Sequence, residues 1–343
     1  MKSIFCAILV ILLPLLVFSL ETSNHLAFQY FKTKHSKTYH NKTEEQNRFK
    51  IFSENYLFIK KHNKRFQKGL ETYELGINQF TDLTRDEFRK LISGIPLPPL
   101  SKNSSKTTIK LHEHIRQKRT IVQNESVPIN WVAGNLDLRT TAIPIKNQKS
   151  CGSCWAFSAT ALSEYSLWKK LGQYYDLSEQ QCVDCAEPNG CDGGWMSDCL
   201  ANRQTCGLNN ETIYPYKAIV IKCNCNSTNG FNTSYAQAFY SIEPNETTMA
   251  YVMYRQQAWV SACLNATDLQ HYSSGIVSPT SCNNSPSHAI NLVGYGTLNG
   301  TAYWIARNSW GTNWGEKGYF RILRGIGACG LSTDYEDYRA YLA

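Results

Sequence analysis

The sequence predicts an α+β protein in which a helix-rich segment precedes a strand-rich one, with a separate long helix ahead of both. Three observations carry this. Glu44, Arg48, Phe52, Asn55, Ile59 and Asn63 are spaced four, four, three, four and four residues apart, which keeps all six on one helical face. Residues 155–171 are apolar on most faces, carry Lys169 and Lys170 in the last turn and end at Gly172, the signature of a buried helix with a stop signal. A second helical stretch covers 195–203. Apolar residues then alternate or run on as strands over 289–295, 303–306 and 318–323.

Taken in order, the chain opens on Lys2 and an apolar run over 4–18, of signal-peptide length, with cleavage expected after Ser19. Pro14 and the shortness of the run argue against a membrane anchor, and no later stretch is long and apolar enough to span. Glycosylation sequons stand at Asn41, Asn103, Asn124, Asn210, Asn226, Asn232, Asn245, Asn265, Asn283 and Asn299, as expected of a secretory route. The 13 cysteines fit an oxidising compartment. The expected location is therefore lysosomal or extracellular.

Residues 20–126 form a second part and 127–343 a third. Lys and Arg outnumber Asp and Glu by 21 to 11 in residues 1–126, but number 14 against 16 in the rest. The third part has no basic stripe, which excludes a nucleic-acid binder. A basic segment ahead of a mildly acidic body is expected to dock on it partly by attraction, and to loosen as acid protonates carboxylates. The stretch 94–130 is rich in Pro, Ser and Lys, as in an exposed and cleavable linker. Arg116-Gln117-Lys118-Arg119 within it reads either as a convertase site or as a solvated basic tract.

Chemistry concentrates around Gln148-Lys149-Ser150-Cys151-Gly152-Ser153-Cys154-Trp155. A cysteine at a helix start feels the positive end of the helix, which favours the nucleophilic thiolate. Of eight histidines only His271 and His288 lie beyond Cys154. His288 precedes a strand-like run, 134 residues after Cys154, and Asn308 follows another, 154 residues after it. Cysteine, histidine and asparagine in this order, with a side-chain amide six residues before the cysteine, resemble the papain-family cysteine protease precursors. The six-residue helical face matches the ERFNIN motif of cathepsin L-like propeptides, and Gly76, Asn78, Phe80 and Asp82 match its companion Gly-x-Asn-x-Phe-x-Asp motif.

The resemblance implies a papain-like fold, with a helical half, a β-barrel-like half and an active-site cleft between them, preceded by a helical inhibitory pro-region. It implies a cysteine endopeptidase made as a zymogen. Cys154 would be the nucleophile, His288 the base and Asn308 its orienter. Trp310 would shield that contact, and Gln148 with the Cys154 amide would form the oxyanion hole. Gly193, Gly194, Trp195, Met196, Ala289 and Trp310 would line the substrate cleft, with Asp334 at the far end of the pocket for the second substrate residue. A carboxylate there implies acceptance of arginine beside apolar side chains. Val127-Pro128 resembles a mature N-terminus, which places the start within 120–130. The family's Asp-Trp-Arg near that start is here Asp137-Leu138-Arg139, which leaves the N-terminal packing open.

The resemblance also pairs Cys151 with Cys191, Cys185 with Cys223 or Cys225, and Cys282 with Cys329. Cys182, Cys199, Cys206, Cys263 and the spare of Cys223 and Cys225 are then left, and an odd number implies a free thiol or an intermolecular bond. Partners implied are protein and peptide substrates, the chain's own propeptide and cystatin-type inhibitors, with a monomeric enzyme and no cofactor or metal.

Other classes are weighed on residues. Cys151-x-x-Cys154 with Cys182-x-x-Cys185 would be a long-spaced zinc module, and secreted thiols tend to oxidise. A thioredoxin-like site would need Cys151 free in a βαβ context. Dipeptide trimming of the cathepsin B kind relies on an insertion with paired histidines, and none occurs between Gly194 and His271. The serious rival is an inactive, protease-shaped binding protein, from which labelling of Cys154 by an epoxysuccinyl inhibitor would discriminate.

Overall fold

A computed structural model describes residues 23–95, 127–186, 190–207, 209–225, 239–242, 245–278, 282, 285–332 and 340–342. The expected signal peptide, the basic tetrapeptide 116–119, Asp334 and the sequons at Asn103, Asn124, Asn226, Asn232 and Asn283 lie outside the described residues.

Aromatic packing organises the first part. A helix over residues 23–34 (α1) meets α2 (Lys42–Phe66) through a core of Phe28, Phe31 and Phe52. The side chain of Asn41 caps α2 by accepting from the Glu44 amide, with Glu44 and Glu45 in the positive first turn. Along the six-residue face, Phe52 and Ile59 are buried. Asn55 Nδ2 donates to the Thr81 and Leu83 carbonyls, both at 2.9 Å, and Asn63 Nδ2 donates to Leu75 O at 2.8 Å. Arg48 holds the Asp82 carbonyl and the Glu87 carboxylate. The face thus reads out the next strand and loop rather than merely covering a core. Strand β1 (Tyr73–Leu75) and helix α3 (Arg85–Ile92) follow, α3 started by a Thr84–Glu87 capping box.

The body has the two expected halves. After β2 (Leu136–Asp137), its first half holds α4 (Cys154–Leu171), α5 (Glu179–Cys185) and α6 (Met196–Cys206). Helix α4 is buried along most of its length and stops where Gly172 turns left-handed at φ 70°, its N–H on Trp168 O. The second half holds β3 (Tyr240–Ile242), α7 (Glu246–Gln256), β4 (Val260–Leu264), β5 (Tyr272–Val277), β6 (His288–Leu298), β7 (Thr301–Arg307), β8 (Tyr319–Leu323) and β9 (Ala340–Leu342). The sheet order is β1-β5-β8-β7-β6-β4-β9-β3, with β2 beside β6.

Two apolar cores result. One lies within the sheet half around Trp304, Trp314 and Phe320, and Phe80, Phe88 and Ile92 of the first part insert into it. The other lies between α4 and the sheet, around Trp155, Trp259 and Val293. Leu138, where the family has tryptophan, packs against this second core. Its carbonyl accepts from Trp259 Nε1 at 3.0 Å, and its amide donates to Val293 O at 2.8 Å, which settles the N-terminal packing.

Five disulfides tie the body: Cys151–Cys191, Cys182–Cys199, Cys185–Cys223, Cys206–Cys225 and Cys282–Cys329. Cys185 takes Cys223 of its two expected partners, and the odd cysteine is Cys263, a buried thiol. With Cys151, Cys182 and Cys185 oxidised, the zinc and thioredoxin-like alternatives lose their thiolates.

The docking of the first part differs from the electrostatic expectation. Strand β1 adds antiparallel to β5 at the sheet edge. Gly76 N donates to His271 O at 2.7 Å, Asn78 Nδ2 to Gln270 O at 2.7 Å and Gln79 Nε2 to Trp310 O at 2.7 Å. Phe80 and Phe88 meet Trp310 edge-on, with centroids 5.5 and 5.4 Å away. Among the described residues Arg85–Asp268 is the ion pair that crosses between the parts. Asp82 faces inward on its own part, bonded to Lys37 at 2.8 Å and Tyr39 at 3.0 Å. Among the described residues the basic excess of the first part is therefore largely a solvated surface, and backbone and aromatic contacts hold the dock.

Candidate active site

Three elements converge on the cleft. Helix α4 presents Cys154 at its N-terminus, and β6 starts with His288. Asn308 follows β7, which pairs with β6 so that Asn291 faces Arg307. The register carries His288 to Trp310, whose ring centroids lie 4.8 Å apart. Cys154 Sγ accepts from the Ala289 amide at 3.3 Å, which joins the helix wall to the strand wall.

The imidazole is oriented by one strong contact. His288 Nε2 lies 2.8 Å from Asn308 Oδ1. That oxygen also accepts from Ser309 N at 2.8 Å, which fixes the amide orientation and makes Nε2 the protonated nitrogen. Nδ1 is then turned toward the cleft. Trp310 covers the contact and is itself 1% exposed.

The first part runs through this cleft. The Ile92 carbonyl oxygen sits 4.0 Å from Cys154 Sγ and 3.4 Å from His288 Nδ1, between thiol and base. Gly94 N donates to Ser287 O at 3.1 Å and Gly94 O accepts from Gly194 N at 3.1 Å, so backbone bonds clamp the segment on both walls. A side chain at Gly94 would place Cβ 2.3 Å from Gly152 O and 2.6 Å from Cys154 Sγ, a clash with backbone that only glycine avoids. Ile95 joins the apolar cluster that contains Met196 and Ala289, with Trp195 packed against it. The predicted cleft residues Gly194, Trp195, Met196 and Ala289 are thus brought together with Cys154, and Trp310 lies against His288. Gly193, at φ 122°, precedes them in the turn that carries Gly194.

Burial under this segment sets the electrostatics. The Cys154 thiol is pushed up to about 12 by burial, against the amides of Ala289 and Trp155 that favour the thiolate. His288 is pulled down to about 4, also by burial, against the pull of Asn308. Between those limits both groups are neutral while the segment is in place.

Gln148 is 1% exposed. Its Oε1 accepts from Ser309 Oγ at 2.7 Å and its Nε2 donates to Cys151 O at 3.0 Å, which leaves the second Nε2 hydrogen for a ligand. Ser287, Ser309 and the Ile92-to-Ile95 seat escaped the sequence reading. Adjacency to His288 and Asn308 was the only signal for the two serines, because backbone and hydroxyl contacts leave no compositional mark.

The described sequons differ in setting. Asn41 and Asn245 are helix N-caps, Asn210 accepts from Thr212 N at 2.9 Å, and Asn299 sits in the turn between β6 and β7 at φ 50°. Asn265 is buried, and its Nδ2 donates to Ser285 O at 3.3 Å, so a glycan there would have to displace that contact.

Residues 132–337 match the papain family cysteine protease model, and residues 28–88 match the cathepsin propeptide inhibitor domain. The chain is 34% identical over 332 residues to a cathepsin L-like proteinase of Fasciola hepatica, covering 94% of this chain and 95% of that one. It is 35% identical over 317 residues to fruit bromelain of Ananas comosus, covering 89% and 83%. Among solved structures, a digestive procathepsin L 3 from the larval midgut of Tenebrio molitor superposes with a TM-score of 0.77 at 32% identity, covering 93% of this chain and 98% of that one.

Proposed function

The chain belongs to the papain family of cysteine proteases and is a zymogen with its own inhibitory propeptide, and from that premise we propose that it is a secretory-route endopeptidase whose chemistry rests on Cys154 and His288. The observation that carries this reading is the propeptide carbonyl of Ile92 lodged between Cys154 Sγ and His288 Nδ1, where a substrate carbonyl would react. Once the propeptide leaves, water and the helix N-terminus favour the thiolate–imidazolium pair. The thiolate attacks the scissile carbonyl, and the oxyanion takes hydrogen bonds from Gln148 Nε2 and the Cys154 amide. His288 Nδ1 gives its proton to the leaving amine and then accepts one from the water that hydrolyses the acyl-enzyme. Asn308 holds the ring through Nε2 in both steps.

Several finer readings join this. Cleavage after Ser19, glycans on exposed sequons and a lysosomal or extracellular site of action fit the sequence, while a mature start within 120–130, a monomeric enzyme and inhibition by cystatin-type proteins are what the family resemblance implies. No helix among the described residues is long and apolar enough to cross a membrane. Asp334 would select basic side chains at the second substrate position beside the apolar wall of Trp195, Met196 and Ala289. An Arg-Arg substrate should then be cleaved well relative to a Phe-Arg one, and Asp334→Ala should lower that ratio about tenfold. An unchanged ratio would exclude Asp334 as selector.

The test of the main reading is covalent labelling. An epoxysuccinyl inhibitor should label the mature protein on Cys154, spare Cys154→Ser and spare the intact precursor at neutral pH. Absence of label on the mature protein would overturn the catalytic assignment.

A further inference from the structure

The two proposed oxyanion donors sit on different pieces of chain. Gln148 lies in an irregular loop, and Cys154 begins α4. Ser153, at the N-cap position of α4, makes no capping bond with its side chain. Its hydroxyl lies instead 2.6 Å from the hydroxyl of Tyr216, and that same phenol donates to the Gln148 carbonyl at 2.8 Å. The phenol has one hydrogen, which goes to the carbonyl, so Ser153 Oγ must be the donor in the shorter contact. The order is Ser153 to Tyr216 to Gln148, and it joins the two ends of the segment 148–153.

Tyr216 is fixed for this task. Its ring meets Phe157 of α4 edge-on at 4.9 Å, and its amide donates to Glu211 Oε1 at 2.7 Å. Burial moves its phenol further above the ordinary tyrosine range, so the donor stays protonated wherever the enzyme works. Lys149, inside the braced segment, holds a left-handed φ of 54°, a conformation an unbraced loop would readily leave.

We propose that Tyr216 is a positioning residue that sets the separation between Gln148 Nε2 and the Cys154 amide, and so tunes the oxyanion hole without touching substrate. This rests on the reading of those two groups as the oxyanion donors. Their hydrogen bonds strengthen as charge develops on the substrate oxygen, so a misplaced pair lowers kcat and leaves KM nearly unchanged.

The experiment uses the mature enzyme. Tyr216→Phe should lower kcat about fivefold to tenfold, the worth of one neutral hydrogen bond, with KM within about twofold. A peptide aldehyde, whose hemithioacetal oxygen occupies the oxyanion hole, should lose affinity by a similar factor. Alkylation by iodoacetamide, whose leaving group is iodide and which forms no oxyanion, should keep its rate within about twofold. Gln148→Ala is the reference and should cost about a hundredfold in kcat. A silent Gln148→Ala would sink the oxyanion reading itself. A damaging Gln148→Ala beside a silent Tyr216→Phe would overturn the role of Tyr216 alone. Equal losses in aldehyde affinity and alkylation rate would also overturn it, since Tyr216 would then act on the Cys154–His288 pair. Should Tyr216→Phe fail to fold, Ser153→Ala cuts the same brace at its other end. It must show the same split between aldehyde and iodoacetamide, about threefold, or the assignment falls.

Discussion

Cys154 and His288 show how one burial event silences two groups at once. Removing water costs the thiolate and the imidazolium alike, so the thiol moves up to about 12 and the imidazole down to about 4. The precursor is therefore blocked by the carbonyl of Ile92 and also unionised at the nucleophile. A small alkylating agent should react with Cys154 in the intact precursor at pH 6 at least about a hundredfold more slowly than in the mature enzyme, because only the thiolate reacts. Mass analysis of alkylated Cys154 over time checks this, and equal rates would mean that propeptide and water share the site. These residues were legible because each sits in a short local pattern whose chemistry needs that residue type. Tyr216 was not, since its contribution is a hydroxyl reaching 68 residues back to a backbone oxygen. No local sequence pattern encodes such a contact.

At the scale of elements, period and spacing told more than composition. The helical stripe from Glu44 to Asn63 was visible in the sequence, and the structure explains its mixture of residue types. Apolar members fill the propeptide core while Arg48, Asn55 and Asn63 capture backbone carbonyls of the segment that docks. What could not be read is that β1 becomes an edge strand of the body's sheet, because a three-residue strand has no period of its own. The extra cysteines resolved for the same reason only in three dimensions: Cys182–Cys199 links α5 to α6, and Cys206–Cys225 ties the end of α6 to the following loop. Aromatic insertion carries much of the propeptide dock, with Phe80 7% and Phe88 0% exposed against Trp310. Truncating a buried phenylalanine costs about 3–5 kcal/mol. A full-length precursor carrying Phe80→Ala should process itself at neutral pH while the wild type stays latent, as gel analysis over time would reveal. Latency equal to wild type would show that the cleft-spanning segment holds without the wedge.

If acid is the trigger that releases the propeptide, the net charges of the two parts do not supply the lever. Arg85–Asp268 is exposed on its arginine side, and pairs of that kind are worth little. Asp82 stabilises the propeptide's own fold through Lys37 and Tyr39. His271 offers a stronger one. It begins the segment on which β1 docks and lines a half-open pocket of about 420 Å³, bordered on the propeptide side by His62, Glu71, Tyr73 and Arg85 and on the body side by Asp268 and Gln270. It is 5% exposed, its Nδ1 has no hydrogen-bond partner among the described residues, and burial pulls it down to about 4 from an ordinary 6.5. The sign follows from linkage. Where the propeptide supplies that burial, the docked value lies below the free one, and docking is at full strength above about pH 6.5, where the ring is neutral in both states. It weakens as pH falls toward about 4, by up to roughly tenfold per unit, because the freed imidazole takes a proton that the docked one refuses. His271→Phe keeps a ring of similar size and removes the titration. Its precursor should remain latent at pH 5, where the wild type converts, and its activation midpoint should move down by about one unit. If conversion of His271→Phe followed the same pH curve as the wild type, the trigger would lie elsewhere, with His288 beneath the Ile92 carbonyl the next buried imidazole to test.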